Sequence, residues 1–159
     1  MNPQGKANGS NSAAGGNIPY RDMRGLLDHL ERNGELLRIS KPVPPKYMHT
    51  LLAKSDQAVL FENVADYEMQ AVGGLIGSRR RLALGLNCDE KVLGRVFMDA
   101  LERPIPAEVA SDGPVREVVK VGEDVDLTEI PIPFQHRKDG GPYISAGIAV
   151  SKDEEGRRN

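Results

Sequence analysis

Hydrophobic positions in the first part of the chain alternate between helical and extended spacing. An i, i+3, i+4, i+7 pattern predicts a helix over Tyr20–Asn33, with an apolar face formed by Met23, Leu26, Leu27 and Leu30. Gly34 is placed to end that helix, and Glu35–Ile39 predicts a short strand. The prolines of Lys41–Pro45 predict an extended connector, because proline fixes φ and lacks an N–H donor.

The next segments predict short elements. Lys46–Lys54 is expected to form a short helix, and the apolar run Ala58–Phe61 is typical of a buried strand. Gln70–Gly77 has strand character, but its three glycines predict a bend or a close backbone approach. Arg79–Leu86 is ambiguous. Together these elements predict an α/β layer.

The clearest helical pattern covers Cys88–Glu102. Asn87 is placed to cap this helix, and Glu90, three residues later, is placed to complete a capping box. The inward face is expected to consist of Leu93, Val96, Phe97, Ala100 and Leu101. Prolines at positions 104 and 106 then end the helix.

The pattern changes to β after a boundary near Ala110–Pro114. Strands are predicted at Val115–Val121 and within Leu127–Pro133, and Pro142–Ser151 alternates as a half-buried strand does. Lys152–Arg158 predicts a hairpin turn, after which a returning strand is needed. Because a strand without a partner leaves unpaired backbone groups, we expect a chain cut within a larger sheet.

Composition narrows the function classes. The 159 residues suit one ordinary domain, and Lys plus Arg (21) against Asp plus Glu (23) gives a net charge of −2. That balance predicts neither nucleic-acid binding nor a polybasic membrane contact. Met1–Asn17 lacks the apolar core of a secretory signal and is expected to be a disordered tail. With no apolar run long enough to span a bilayer, the predicted location is cytoplasmic.

Candidate chemistry is sparse along the chain. Gly73–Arg81 superficially resembles a phosphate-binding loop, but it fits neither standard phosphate motif, and a turn leading into a basic solvated face is favoured. His136 lies three residues before Asp139 and could be a general base with its orienting carboxylate. A loop histidine satisfied by backbone contacts is the favoured interpretation.

The remaining reactive residue types do not complete a site. His29 and His49 lie in predicted helices and are expected at the surface or its boundary. The single cysteine, Cys88, excludes an intrachain disulfide and is interpreted as a small buried residue rather than a nucleophile. Ser145 lacks a G-x-S-x-G context. The residues alone therefore predict no catalytic constellation.

The order of several segments resembles a known family. These segments are YRDMRGLLDHLERNGELLRI, AVLFENV, VGGLIGSRRRLALGL, PVREVVKVGEDVDLTEIPIP and HRKDGGPYISAGIAVSKDEEGRRN. From Tyr20 to Asn159 the chain is similar to the N-terminal part of the UbiD family, the (de)carboxylases that use prenylated FMN. The VDL-x-x-x-PIP stretch followed by DGGPY-[IS]-x-AG is specific in combination.

This resemblance implies an α+β fold and a site. It implies an N-terminal α/β domain over residues 18–110 and, over residues 111–159, the first strands of a truncated split β-barrel that binds the flavin. By the same resemblance, the side-chain oxygen of Asn159 coordinates a divalent metal, usually manganese, that holds the flavin phosphate. Asn159 is thus the expected metal and cofactor residue. The family's catalytic residues would lie downstream, so none is predicted in this chain.

The implied reaction is reversible, non-oxidative decarboxylation of an aromatic or α,β-unsaturated carboxylic acid. The full-length parent is expected to be a homo-oligomer, and the 159-residue chain alone is expected to be inactive and free of flavin. The alternative is a stand-alone, non-catalytic binding or subunit module. Such a module would pair the open sheet edge after Pro142 with a strand from a partner chain.

Overall fold

A small three-stranded sheet organises the first part of the chain. The computed structural model describes residues 18–106, 111–149, 151 and 154–155. Its helices and strands are α1 (Met23–Arg32), β1 (Leu36–Ile39), α2 (Pro45–Leu52), β2 (Ala58–Phe61), β3 (Ala71–Gly73), α3 (Arg79–Gly85) and α4 (Leu93–Glu102). The mixed α+β class is therefore confirmed.

The sheet has the order β1-β2-β3. β1 and β2 run parallel, with Leu37 opposite Val59, and α2 forms the crossover between them. β3 returns antiparallel to β2, with Ala71 opposite Phe61. Val43, in the proline-rich connector, forms a parallel bridge with Val64, which confirms that the connector is extended.

Two apolar clusters lie on the two faces of the sheet. Successive side chains of a strand point to opposite faces, so the four buried residues of β2 contribute to both clusters. One cluster, against α1, contains Leu27, Leu30, Leu36, Ala58 and Leu60. The other, against α2, contains Val43, Met48, Val59, Phe61 and Val64. The predicted burial of Ala58–Phe61 is confirmed.

Helix boundaries follow local capping. α1 begins after Asp22, whose carboxylate accepts a hydrogen bond from the Gly25 N–H at 2.8 Å, and the turn after it contains Gly34 at φ 71°. The ambiguous segment Arg79–Leu86 is helical through Gly85, because Ser78 caps it by accepting from the Arg81 N–H at 3.1 Å.

The start predicted for the helix over Cys88–Glu102 is wrong. α4 begins at Leu93, after an N-cap at Val92 that has no side-chain cap hydrogen bond, so the Asn87–Glu90 capping box does not form. Asn87 takes left-handed backbone geometry at φ 47°, and the Asp89 carboxylate instead accepts from the Lys91 N–H at 2.8 Å. These turns delay the helix.

The predicted inward face of α4 is also largely wrong. Leu93 is buried and Val96 is half-buried. The other three residues of the predicted face, Phe97, Ala100 and Leu101, are exposed. The helical spacing places these residues on one side, yet the described residues supply no layer that covers that side.

The prediction that the second part of the chain is rich in β-strands is wrong for the described residues. Positions 111–149 contain three short 3₁₀ turns and no strand: Pro114–Arg116, Gly122–Asp124 and Leu127–Glu129. The strands predicted at Val115–Val121, Leu127–Pro133 and the described part of Pro142–Ser151 are therefore absent among these residues. A strand needs backbone hydrogen-bond partners as well as an alternating pattern.

Some predictions fall outside the described residues. These are the tail Met1–Asn17, most of the hairpin Lys152–Arg158, and Asn159. Among the residues that are described, no helix has the length and apolar character needed to cross a bilayer.

Candidate functional site

The predicted metal residue, Asn159, lies outside the described residues. Within the described part of the chain, no group of three or more His, Cys, Asp or Glu side chains could hold a metal ion. The described residues therefore do not fit a divalent metal by themselves. A metal site in the parent protein would need ligands beyond them.

The glycine–arginine segment Gly73–Arg81 is a structural turn. Gly74 has φ 77°, and its carbonyl accepts hydrogen bonds from the Gly77 N–H at 3.0 Å and from Nε of Arg81 at 2.8 Å. The Arg81 guanidinium also donates to the Asp56 carbonyl at 2.6 Å and pairs with Glu35 at 3.1 Å. Arg81 thus joins three chain segments from a buried position.

The neighbouring arginines also have internal partners. Arg80 pairs with Glu35 at 2.7 Å, and Arg79 donates to the Glu90 carbonyl at 3.3 Å. The favoured interpretation as a turn is confirmed, but the expected solvated basic face is wrong at Arg81, which is buried. Because the arginines are committed to these contacts, the segment does not present a phosphate-binding loop.

A second arginine cluster, missed by the sequence reasoning, joins the sheet to α1. Arg38 contacts the carboxylates of Glu31 at 2.7 Å, Glu62 at 3.2 Å and Asp28 at 3.4 Å. The hydrogen bond from Arg38 lowers the pKa of Glu31. Hydrogen bonds from Ser40 and then Arg38 lower the pKa of Glu62. The arginine within the short β1 strand was the sequence feature that could have indicated this cluster.

The structure brings together two histidines that the sequence separates by most of the chain. His49 on α2 and His136 in the second part have ring centroids 5.2 Å apart, at an interplanar angle of 53°. They line a cleft of about 360 Å³ together with Lys46, Thr50, Phe134, Gln135 and Arg137. We call this the histidine cleft.

His136 and Asp139 do not form a general-base pair. The Asp139 carboxylate accepts a hydrogen bond from the backbone N–H of His136 at 2.7 Å, whereas Nδ1 of the ring lies 4.0 Å from it. The latter separation is too long for a hydrogen bond. His136 lies in a loop, as the favoured interpretation expected, but no backbone group among the described residues satisfies its ring, which lines the histidine cleft.

The charges of the histidine cleft are of one sign. Lys46 places Nζ 5.0 Å from the centroid of the Tyr47 ring. No carboxylate of the described residues forms an ion pair with Lys46 or Arg137, and the described lining contains no Asp or Glu. Both cations therefore remain available to a ligand.

The other candidate residues are dispersed. His29 is half-buried beside Tyr20, and its buried Nε2 has no hydrogen-bond partner among the described residues. Cys88 is half-buried and lines a separate cleft of about 530 Å³. Ser145 is exposed, 3.5 Å from Nε2 of Gln135. In the described part of the chain these residues do not meet in one site.

Two family models match the chain in succession. The N-terminal domain of 3-octaprenyl-4-hydroxybenzoate carboxy-lyase matches residues 27–101. The Rift-related domain of the same carboxy-lyase matches residues 107–159. The two matches together cover most of the sequence.

Solved UbiD-class enzymes have a similar fold. The enzyme HmfF from Pelotomaculum thermopropionicum, in an evolved dimeric form in complex with prFMN, is 35% identical over 83% of this chain, with a TM-score of 0.74. HmfF in complex with FMN is 36% identical over 86% of the chain, with a TM-score of 0.75. The closed form of vanillic acid decarboxylase from Sedimentibacter hydroxybenzoicus is 30% identical over 86%, with a TM-score of 0.69.

The chain spans only 32% of the length of each of these three structures. The agreement nevertheless extends over both matched domains and over more than four-fifths of the present sequence. On these matches, the chain belongs to the UbiD family.

Proposed function

We propose that this chain is the N-terminal part of a UbiD-class carboxy-lyase. The parent enzyme would catalyse non-oxidative, reversible decarboxylation of an aromatic or α,β-unsaturated carboxylic acid with prenylated FMN. The observation that carries the proposal is the succession of the two carboxy-lyase domain matches, at residues 27–101 and 107–159. The prFMN and FMN bound by HmfF support the choice of cofactor.

The proposal includes a division of labour along the chain. Residues 18–110 form an α/β domain, and residues 111–159 supply the start of a split flavin-binding barrel. The buried sheet supports the first assignment, and the Rift-related match supports the second. The parent is a cytoplasmic homo-oligomer in this proposal, and the dimeric form of HmfF supports the oligomer.

Asn159 has the one cofactor role proposed for this chain. An amide oxygen suits a hard divalent cation such as Mn²⁺, which would in turn hold the flavin phosphate. Because the described residues provide no metal site, the remaining ligands would come from outside them. When bound, prenylated FMN would supply the electron sink for loss of CO₂. The described residues contribute the scaffold, and no role in the loss of CO₂ is proposed for them.

The test compares two lengths of the same protein. We expect the 159-residue chain alone to retain no stoichiometric prenylated FMN and to release no CO₂ from aromatic acids. A chain extended along its reading frame to the length of HmfF should bind the flavin and decarboxylate at least one such acid. Flavin is measured by absorbance, CO₂ by isotope release and bound manganese by elemental analysis.

Matched asparagine variants of the extended chain test the metal assignment. Asn159→Ala should lose most of the bound manganese, because one oxygen ligand is removed. Asn63→Ala, at an exposed position after β2, should retain it. Stoichiometric flavin on the 159-residue chain, or full manganese retention by Asn159→Ala, would contradict the proposal.

The stand-alone binding module gains no specific support. It depends on an open strand edge after Pro142, and residues 142–149 form no strand. Co-purification of the 159-residue chain with a separately encoded partner, without activity of any extended form, would favour that module over the carboxy-lyase.

A further inference from the structure

We infer that the histidine cleft is a binding site for the carboxylate of an aromatic acid. This inference deepens the proposed function and rests on it for the class of acid. It assigns a place on this chain where such an acid would be held. The cleft volume of about 360 Å³ lies toward the small end of the range of small-molecule sites, roughly 300–1,000 Å³.

The two cations that line the histidine cleft have no counter-ion among the described residues. Lys46 and Arg137 reach one cleft from two distant parts of the chain, and neither is ion-paired with a described carboxylate. Arg38 and Arg81, by contrast, each contact at least one carboxylate. Cations that converge without a counter-ion favour an anion between them.

The second cleft provides a comparison within the same molecule. It is larger, about 530 Å³, and is lined by Arg80 and Lys91 together with Asp89 and Glu90. Positive and negative side chains balance there, so it offers no selection for an anion. Only the histidine cleft, of these two, combines cations with a lining free of described acidic residues.

The lining of the histidine cleft also contains hydrogen-bond donors and an aromatic ring. Thr50 and the imidazoles of His49 and His136 add hydrogen-bond donors to the two cations. Asp139 does not compete for the His136 ring through a hydrogen bond, because it accepts from the backbone N–H instead. Phe134 lines the same cleft and is 44% exposed, so an aromatic ring can stack on it. These groups together match an aromatic carboxylate.

Benzoate is the probe for the test. It is titrated into the isotope-labelled 159-residue chain while the side-chain NMR signals of His49 and His136 are recorded. We expect both signals to shift saturably with one dissociation constant. Benzamide, which has the same ring without the charge, and cyclohexanecarboxylate, which has the charge without the aromatic ring, should each bind at least about threefold more weakly.

Charge variants locate the site. Lys46→Gln and Arg137→Gln should each weaken benzoate binding about three- to tenfold, because each removes one charged donor. Lys54→Gln is the matched control, since Lys54 is exposed just after α2 and does not line the cleft. Its affinity for benzoate should be unchanged. None of the three positions is buried, so the variants should fold normally.

The outcomes separate this inference from the proposed function. The inference is overturned if benzoate causes no saturable shift, if Lys54→Gln weakens binding as much as the cleft variants, or if inorganic phosphate binds as tightly as benzoate. Decarboxylation by the extended protein together with any of those results would leave the proposed function standing. Benzoate binding with an inactive extended protein would support the site and contradict the carboxy-lyase.

Discussion

The two parts of this molecule differ in the burial of their apolar side chains. In residues 18–86 the sheet is covered on both faces, and Val59 and Phe61 are 0% and 1% exposed. In residues 111–149 most apolar side chains are exposed, and Val115 and Ile148 are 88% and 89% exposed. Both parts have regular apolar patterns in the sequence.

The difference shows what an apolar pattern requires. β2 lies between two strands and two helix-covered faces, so its backbone and side chains are both satisfied. The alternating segment after Pro142 has no strand partner among the described residues, and it remains irregular. The alternation of apolar residues determines which side chains would lie on the same face of a strand. Whether the strand forms depends on hydrogen-bond partners and on a layer that covers that face.

The largest expected effect compares two phenylalanines. Phe61→Ala should lower the free energy of unfolding by about 3–5 kcal/mol, because it opens a cavity in the core. Phe97→Ala should cost less than about 1 kcal/mol, since that ring is 60% exposed. Urea denaturation followed by circular dichroism measures both. Equal losses would show that α4 is covered in solution and would remove the contrast.

The buried arginine should have the next largest effect. Arg81→Met leaves the Gly74 and Asp56 carbonyls without their guanidinium donor and should destabilise the protein by about 2–4 kcal/mol. Arg79→Met, at an exposed position, should change stability by no more than about 0.5 kcal/mol. Similar losses in the two variants under thermal denaturation would mean that the Arg81 contacts contribute little.

Removing an unsatisfied nitrogen should increase stability. His29→Leu eliminates the buried Nε2 that has no partner in the described structure and should raise the free energy of unfolding by about 1 kcal/mol. His136→Leu, whose ring is exposed, should bring no such gain. Chemical denaturation of both variants checks this, and a destabilised His29→Leu would indicate that Nε2 is satisfied in solution.

The smallest expected effect concerns the stability of the protein at acidic pH. The pKa values of Glu31 and Glu62 are lowered in the folded state, so the stabilisation exists above the pKa of an unfolded glutamate. It is lost as the pH falls through the folded-state values. Arg38→Gln should flatten the decline of stability between about pH 5 and pH 3, measured by urea denaturation at each pH. Arg95→Gln, on the exposed side of α4, should keep the full slope.

The sequence predicted the first part of the fold because its signals are local. Asp22 lies at the start of α1, and Gly34 lies in the turn after its end. The run Ala58–Phe61 forms the central strand of the sheet. At Arg79–Leu86 the Ser78 cap is a local signal for the helix, but the buried position of Arg81 depends on contacts that no local pattern contains. Arg81 faces inward because Glu35, Asp56 and Gly74 accept its hydrogen bonds.

The errors arose where two local solutions compete or where partners are distant. Asn87 can cap a helix or take left-handed geometry, and the structure has the second, with an Asp89 turn delaying α4. The meeting of His49 and His136 could not be read from spacing, since it depends on how the two parts of the chain fold together. Asn159 stays a prediction, because it lies outside the described residues.

One hydrogen bond joins the two ends of the sheet unit, residues 20–85. The Tyr20 hydroxyl donates to the Gly85 carbonyl, 65 positions later, so the entry and exit of the sheet unit lie side by side. A unit with adjacent ends tolerates transplantation into a host loop and circular permutation. The turn at Gly34 is open to solvent, with no atom within 4 Å of the point where a Cβ would lie, and it is the natural place for new termini.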